Sequence, residues 1–118
     1  MPRGPQGLPK AVRIRSRLDF ERLQETGRRA SRGKILGLWM TSGQAPARLG
    51  ITASRKVGGA VVRNRAKRWI REWFRKRKSA LPKGLWLVVV LRAGAVEAGH
   101  AVLEQDLDLL AAAIARGR

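Results

Sequence analysis

The stretch Arg55-Lys56-Val57-Gly58-Gly59-Ala60-Val61-Val62-Arg63-Asn64-Arg65-Ala66-Lys67-Arg68-Trp69-Ile70-Arg71-Glu72-Trp73-Phe74-Arg75-Lys76-Arg77-Lys78 holds eleven basic residues in twenty-four and a single acid, Glu72. An apolar series runs through it. Val62, Ala66, Trp69, Ile70, Trp73 and Phe74 recur at i, i+4, i+7, i+8, i+11 and i+12, which is one face of an α-helix. At about 100° per residue, Asn64, Arg68, Arg71 and Arg75 fall on the opposite face, with Lys67 on its flank. The spacing predicts a helix from about Val61 to Lys78 that turns two tryptophans and a phenylalanine inward and guanidinium groups outward.

An ordinary solvated helix face mixes both signs, because opposite charges at i, i+4 support the helix and like charges there oppose it. Here Lys67 with Arg71, Arg71 with Arg75 and Arg68 with Arg71 repeat one sign at i, i+3 or i, i+4. A polyanion relieves that repulsion, so the outward face is read as a phosphate-binding surface.

Working outward, Gly58-Gly59 precede this helix and Pro82 follows it. Leu85 to Leu91 is wholly apolar and predicts a strand covered on both faces. Val102 to Ala115 carries Leu103, Leu107, Leu110 and Ile114 at helical spacing and predicts a terminal helix. Its Glu104, Asp106 and Asp108 are read as lying early, near the positive helix end. Asp106 and Asp108 are two residues apart and should point in different directions. Upstream, Lys34 to Met40 and Arg48 to Ser54 predict two strands joined by a turn-rich connection, and so short a link suggests an antiparallel pair. Ser16 and Asp19 form a capping-box pattern and Gly27 offers a stop, giving a first helix from about Arg17 to Thr26 that buries Leu18 or Phe20 with Leu23. The order helix, strand, strand, helix, strand, helix implies an α+β fold: a two-layer α/β sandwich with helices over a small, mainly antiparallel sheet.

With 118 residues, the chain suits one domain, read as residues 13–118 behind a flexible basic N-terminal tail at 1–12. It is 44% hydrophobic, too apolar for a disordered polycation, and its formal charge of +18 demands a strongly anionic partner. No apolar run reaches the roughly 18 residues of a membrane span, and the N-terminus lacks the apolar core of a secretory signal. The absence of cysteine removes disulfides and thiolate metal sites and fits a reducing cytoplasm. His100 has no second histidine to share a metal and reads as a surface residue, and the eight carboxylates are scattered. No compact acid cluster of the kind a two-metal nuclease needs is visible. The reading therefore assigns no catalytic residue and no metal ligand to this chain.

The run from Arg48 to Glu72, with Arg63-Asn64-Arg65 at its centre followed by Lys67, Arg68 and Arg71, resembles the protein subunit of bacterial ribonuclease P. Arg13-Ile14, Asp19-Phe20 and Gly27 resemble the first helix of that family, and the pattern covers about residues 13 to 110. The resemblance implies a protein that binds a large catalytic RNA and supports magnesium-dependent removal of the 5′ leader from precursor tRNA. The RNA would carry the chemistry, with Mg2+ bound mainly by it, in the cytoplasm and with no obligate protein partner. It also implies a left-handed β-α-β crossover, against a general rule that favours right-handed ones. Arg63, Asn64, Arg65, Lys67, Arg68 and Arg71 match the motif that faces the catalytic RNA, and Arg55 and Lys56 extend it. The leader would lie between the first helix and the sheet, where Phe20 matches an aromatic position. Gln24, Ile35 and Leu38 stand where relatives often have rings. The leader-binding set is therefore Arg13, Phe20, Lys34, Ile35, Leu38 and Arg48, with a core role as the other reading of Phe20.

Three other classes share parts of this pattern. A ribosomal protein or RNA chaperone shares the charge but not the match around Arg63-Asn64-Arg65. An autonomous nuclease needs a carboxylate cluster. A membrane-surface helix fits the two faces, but Trp69 and Trp73 are more simply explained as core.

Overall fold

A computed structural model describes residues 21–23, 25, 27–41 and 47–116. The expected tail and the start of the first helix lie outside the described residues; residues 21–23 and 25 are helical, as expected. The remaining elements are β1 (Arg28–Arg32), β2 (Ile35–Thr41), β3 (Arg48–Ala53), a 3-10 turn (Arg55–Val57), α1 (Ala60–Arg77), a second 3-10 turn (Lys78–Ala80), β4 (Leu85–Leu91) and α2 (His100–Arg116).

The four strands make one sheet in the order β1-β2-β4-β3. The β1–β2 and β2–β4 pairs are antiparallel and β3 runs parallel to β4, so the fold is the mainly antiparallel α+β arrangement the sequence implied. The expected direct pairing of the second and third strands does not occur. β4 lies between them, with Met40 opposite Trp86 on one side and Arg48 opposite Trp86 on the other. The reason is burial: β4 is apolar at every position and needs neighbours and cover on both sides, whereas β3 carries Arg48 and Thr52 and suits an edge. The connection β3–α1–β4 is therefore a β-α-β unit with parallel strands.

β1 was not legible as a strand. Its sequence, Arg-Arg-Ala-Ser-Arg, has one apolar residue, and only Ala30 packs against the main core. It is an edge strand held by a two-residue hairpin, Gly33-Lys34, in which Gly33 has φ 57 while Lys34 does not have positive φ. Positive φ at the first loop residue alone is the type II′ pattern, which favours glycine there.

Side-chain alternation divides the core. Ile35, Trp39, Leu49, Leu85, Leu87, Val89 and Leu91 face α1 and α2, where they meet Ala66, Ile70, Trp73 and Phe74 of α1 and Leu103, Leu107, Leu110 and Ile114 of α2. On the opposite face Leu38, Trp86 and Val88 pack with Leu23 of the N-terminal helical residues. The apolar stripe of α1 thus points inward as its spacing implied, except that Val62 and Trp69 are half-buried; Trp69 stacks on His100 at the start of α2, with centroids 4.8 Å apart and planes 19° apart.

α2 begins two residues before the expected start, so its first turn has no acid and Glu104, Asp106 and Asp108 lie beyond the reach of the helix-end dipole. The two aspartates act through separate partners instead. Asp106 accepts from the Lys34 backbone N–H at 3.5 Å, while Asp108 accepts from the Trp73 indole N–H at 2.8 Å and pairs with Arg77 Nε at 2.8 Å.

Trp73 is 1% exposed and joins α1 to both the sheet and α2. Trp73→Ala should lower stability by about 3–5 kcal/mol, and Trp69→Ala by less, because Trp69 already meets solvent. Urea unfolding followed by circular dichroism tests this; equal losses for the two variants would show that the half-exposed ring is as much core as the buried one.

Candidate nucleic-acid interface

The entry to α1 is built from backbone requirements. Ser54 Oγ accepts from the Lys56 N–H at 3.3 Å and holds the 3-10 turn that exposes Arg55 and Lys56. Gly58 then adopts φ 148, and a Cβ there would come 2.7 Å from the Val62 side chain. Gly59 caps the helix without a side-chain hydrogen bond, and no acid stands in the first turn. The positive pole of α1 is thus left uncompensated beside two cations.

Along α1 the outward face is continuous. Asn64, Arg65 and Arg68 are exposed and Arg71 is half-buried; with Val61, itself 72% exposed, they line a shallow groove of about 430 Å3. Arg63 and Lys67 are half-buried on the flank, one turn apart. The Arg63 Nε–H is buried with no hydrogen-bond partner among the described residues. All eight residues expected to face the catalytic RNA therefore lie on α1 or on the turn that leads into it. No carboxylate lines the groove.

The leader-binding residues are less coherent. Arg13 and Phe20 lie outside the described residues, as does Gln24. Arg48, at the start of β3, is on the sheet face opposite α1 and α2, with its guanidinium carbon 5.2 Å from the Trp86 ring centroid. Lys34 sits in the hairpin turn at the other end of the sheet; five residues of β4 separate the two levels, about 17 Å. Ile35 does not belong to this face. It is fully buried in the core against the helices, so it cannot line a cleft on the other side. Leu38 is on the correct face but buried with Leu23, Trp86 and Val88, where it forms the floor and offers little surface.

Two residues on this face escaped the sequence reading. Trp86 is 7% exposed, lies between Arg48 and Arg22 (5.9 Å from the ring centroid), and its indole N–H has no partner among the described residues. The available signal was parity: in β4, residues 86, 88 and 90 must face away from residues 85, 87, 89 and 91. The described part of the open face thus consists of an apolar floor with arginines above its tryptophan. Among the described residues there is no group of three or more histidine, cysteine or carboxylate side chains that could hold a metal ion. No helix among them is long and apolar enough to cross a membrane.

An α+β domain with a cationic helix on one side and an apolar, arginine-flanked sheet face on the other has the electrostatic footprint of the nucleic-acid-binding class of proteins. The model of the Ribonuclease P family matches residues 8–115, and the chain belongs to that family. It is 42% identical over 111 residues to the ribonuclease P protein component of Streptomyces avermitilis, covering 86% of this chain and 89% of that one. To the component from Thermotoga petrophila it is 41% identical over 87 residues, 74% of each. Among solved structures, the RNase P protein of Staphylococcus aureus superposes with a TM-score of 0.79 at 31% identity, covering 90% of this chain and 96% of that chain. That of Thermotoga maritima gives 0.76 at 34% identity, covering 84% and 94%.

Arg68 is exposed and opposite the apolar stripe, so removing it opens no cavity. Arg68→Ala should leave the melting temperature within about a degree or two while weakening binding to a bacterial ribonuclease P RNA, because a phosphate contact is lost. Calorimetric melting and a filter-binding titration check both halves; a large fall in melting temperature would mean that Arg68 is structural.

Proposed function

We propose that this chain is the protein subunit that grips the catalytic RNA of ribonuclease P through α1 and the 5′ leader of precursor tRNA through the open sheet face. The observation that carries this reading is the groove of Asn64, Arg65, Arg68 and Arg71, held rigid by the packed underside of the same helix. Guanidinium groups at i, i+3 spacing meet successive phosphate oxygens. Arg55, Lys56 and the uncapped start of α1 continue the same positive surface.

On the other face, the leader would be positioned by Arg48, Arg13 and Phe20, with Leu38 in the floor and Lys34 at the distal end. Single-stranded bases gain about 1–3 kcal/mol each by stacking on a ring. The protein's work is attraction and positioning. Neutralising the backbone brings RNA and substrate together, and a fixed leader holds the scissile bond in place. Bond cleavage, with Mg2+, belongs to the RNA in this proposal, and the holoenzyme is cytoplasmic. No other protein is required.

Reconstitution with a bacterial ribonuclease P RNA tests this. Adding the chain should lower the magnesium concentration needed for precursor cleavage, and Phe20→Ala should weaken precursor tRNA binding by about 1–3 kcal/mol with mature tRNA unaffected. Cleavage by the protein without RNA would contradict the assignment of chemistry to the RNA. Equal weakening of precursor and mature tRNA would remove Phe20 from the leader site.

A further inference from the structure

Two side chains in the α1 groove are not what a phosphate-binding surface calls for. Val61 and Asn64 stand one turn apart on the helix, and Arg65 and Arg68 line the same hollow with them. Val61 is 72% exposed and belongs to neither core cluster, whereas its neighbour Val62 packs on the core. Asn64 is exposed in the second turn of a helix whose N-cap is Gly59, so it caps nothing. Its amide has no hydrogen-bond partner among the described residues.

Valine and asparagine are both poorer helix formers than alanine or arginine. An arginine at either position would serve the helix and a phosphate better. A lone exposed valine is ordinary on a protein surface, but this one sits among cations beside an unengaged amide. The amide differs from a guanidinium in carrying an acceptor next to its donors. A phosphodiester offers it acceptors only, so half of the amide would go unused there. A nucleotide with an accessible base supplies the rest. Its base edge sets a donor next to an acceptor, its ring face can lie on the valine methyls, and its phosphate can meet Arg65 or Arg68. In an A-form duplex the bases are paired and one groove is too deep and narrow for side chains to read, so the base that fits is an unpaired one.

We infer that Val61 and Asn64 form a base-reading subsite within the α1 groove, which takes one unpaired nucleotide of the catalytic RNA while the arginines around it hold the backbone. The inference deepens the proposed function and rests on it for the identity of the RNA. The arginines attract any RNA, and the two uncharged residues add selectivity for the catalytic one.

The test measures binding of the chain to a bacterial ribonuclease P RNA and to a random-sequence RNA of equal length, over a range of salt. Val61→Ala and Asn64→Ala should keep or slightly raise the melting temperature, because alanine is the better helix former. Asn64→Ala should nevertheless lower affinity for the catalytic RNA about tenfold and Val61→Ala about threefold. The slope of log K against log salt should stay unchanged in both, and the random RNA should be unaffected. Arg68→Ala should instead flatten that slope by about 0.7–0.9 for both RNAs. Asn64→Lys, which adds a cation, should reduce the preference for the catalytic RNA. Dimethyl sulfate and a carbodiimide together modify the pairing edges of all four bases. They should reveal an unpaired base that the unsubstituted chain shields and Asn64→Ala re-exposes. Tighter and equally selective binding by Asn64→Lys would mean that the amide meets a phosphate, and it overturns the subsite. Alanine variants that bind like the unsubstituted chain, or the lack of any re-exposed base, also overturn it. Each of those results leaves the proposed function standing as long as Arg68→Ala weakens binding; no effect from Arg68→Ala would remove that function as well.

Discussion

One helix must be packed and repelled at once. α1 carries eight cations and one acid in eighteen residues, and like charges at one-turn spacing oppose helix formation. What holds it is its underside: Ala66, Ile70, Trp73 and Phe74 are buried against the sheet and α2. Asp108 adds the directional element, because it takes the Trp73 indole N–H and the Arg77 guanidinium together, and Arg77 lies 5.8 Å from the centroid of the same ring. The buried Trp73 indole is thereby satisfied by a carboxylate, which avoids the cost of an unpaired donor at that position. The outer groove is therefore rigid because the inner face is full.

This division also explains why β4 is central. A strand of seven apolar residues can be used only where both faces are covered, and here α1 and α2 cover one while Leu23 and Leu38 help cover the other. With β4 in the middle, the basic elements are driven outward: Arg55, Lys56 and α1 beside β3, and the arginines of β1 at the far edge. The charge distribution follows from where the apolar residues had to go.

The periodic elements were legible in the sequence because each carries a complete local signal. β4 spans the expected residues, and α1 and α2 differ from expectation by one or two residues at their ends. The cationic outward face of α1 was legible for the same reason, since the phase of an apolar stripe fixes the opposite face. Strand partners are set by burial between distant segments, so the insertion of β4 between β2 and β3 left no local trace. β1 was missed because an edge strand with one inward alanine has almost no apolar signal. Ile35 was assigned to the wrong face although the parity was available: Ile35 and Leu38 are an odd number of residues apart, so one strand cannot present both to the same cleft. Trp86 was overlooked because an aromatic inside an aliphatic run reads as core, and only the fold reveals the arginines above it.

The claim on which the account turns is that α1 presents its Asn64–Arg71 face to the catalytic RNA while the outer face of α2 remains in solvent. The chain has no cysteine, so a single Asn64→Cys or Leu109→Cys substitution gives a unique attachment point for an iron chelate. Both positions are exposed, on α1 and α2 respectively. Hydroxyl-radical cleavage in the reconstituted holoenzyme should cut one compact region of the catalytic RNA from position 64 and give little or no cleavage from position 109. Strong cuts from 109 with none from 64 would place the RNA on the wrong helix and contradict the account.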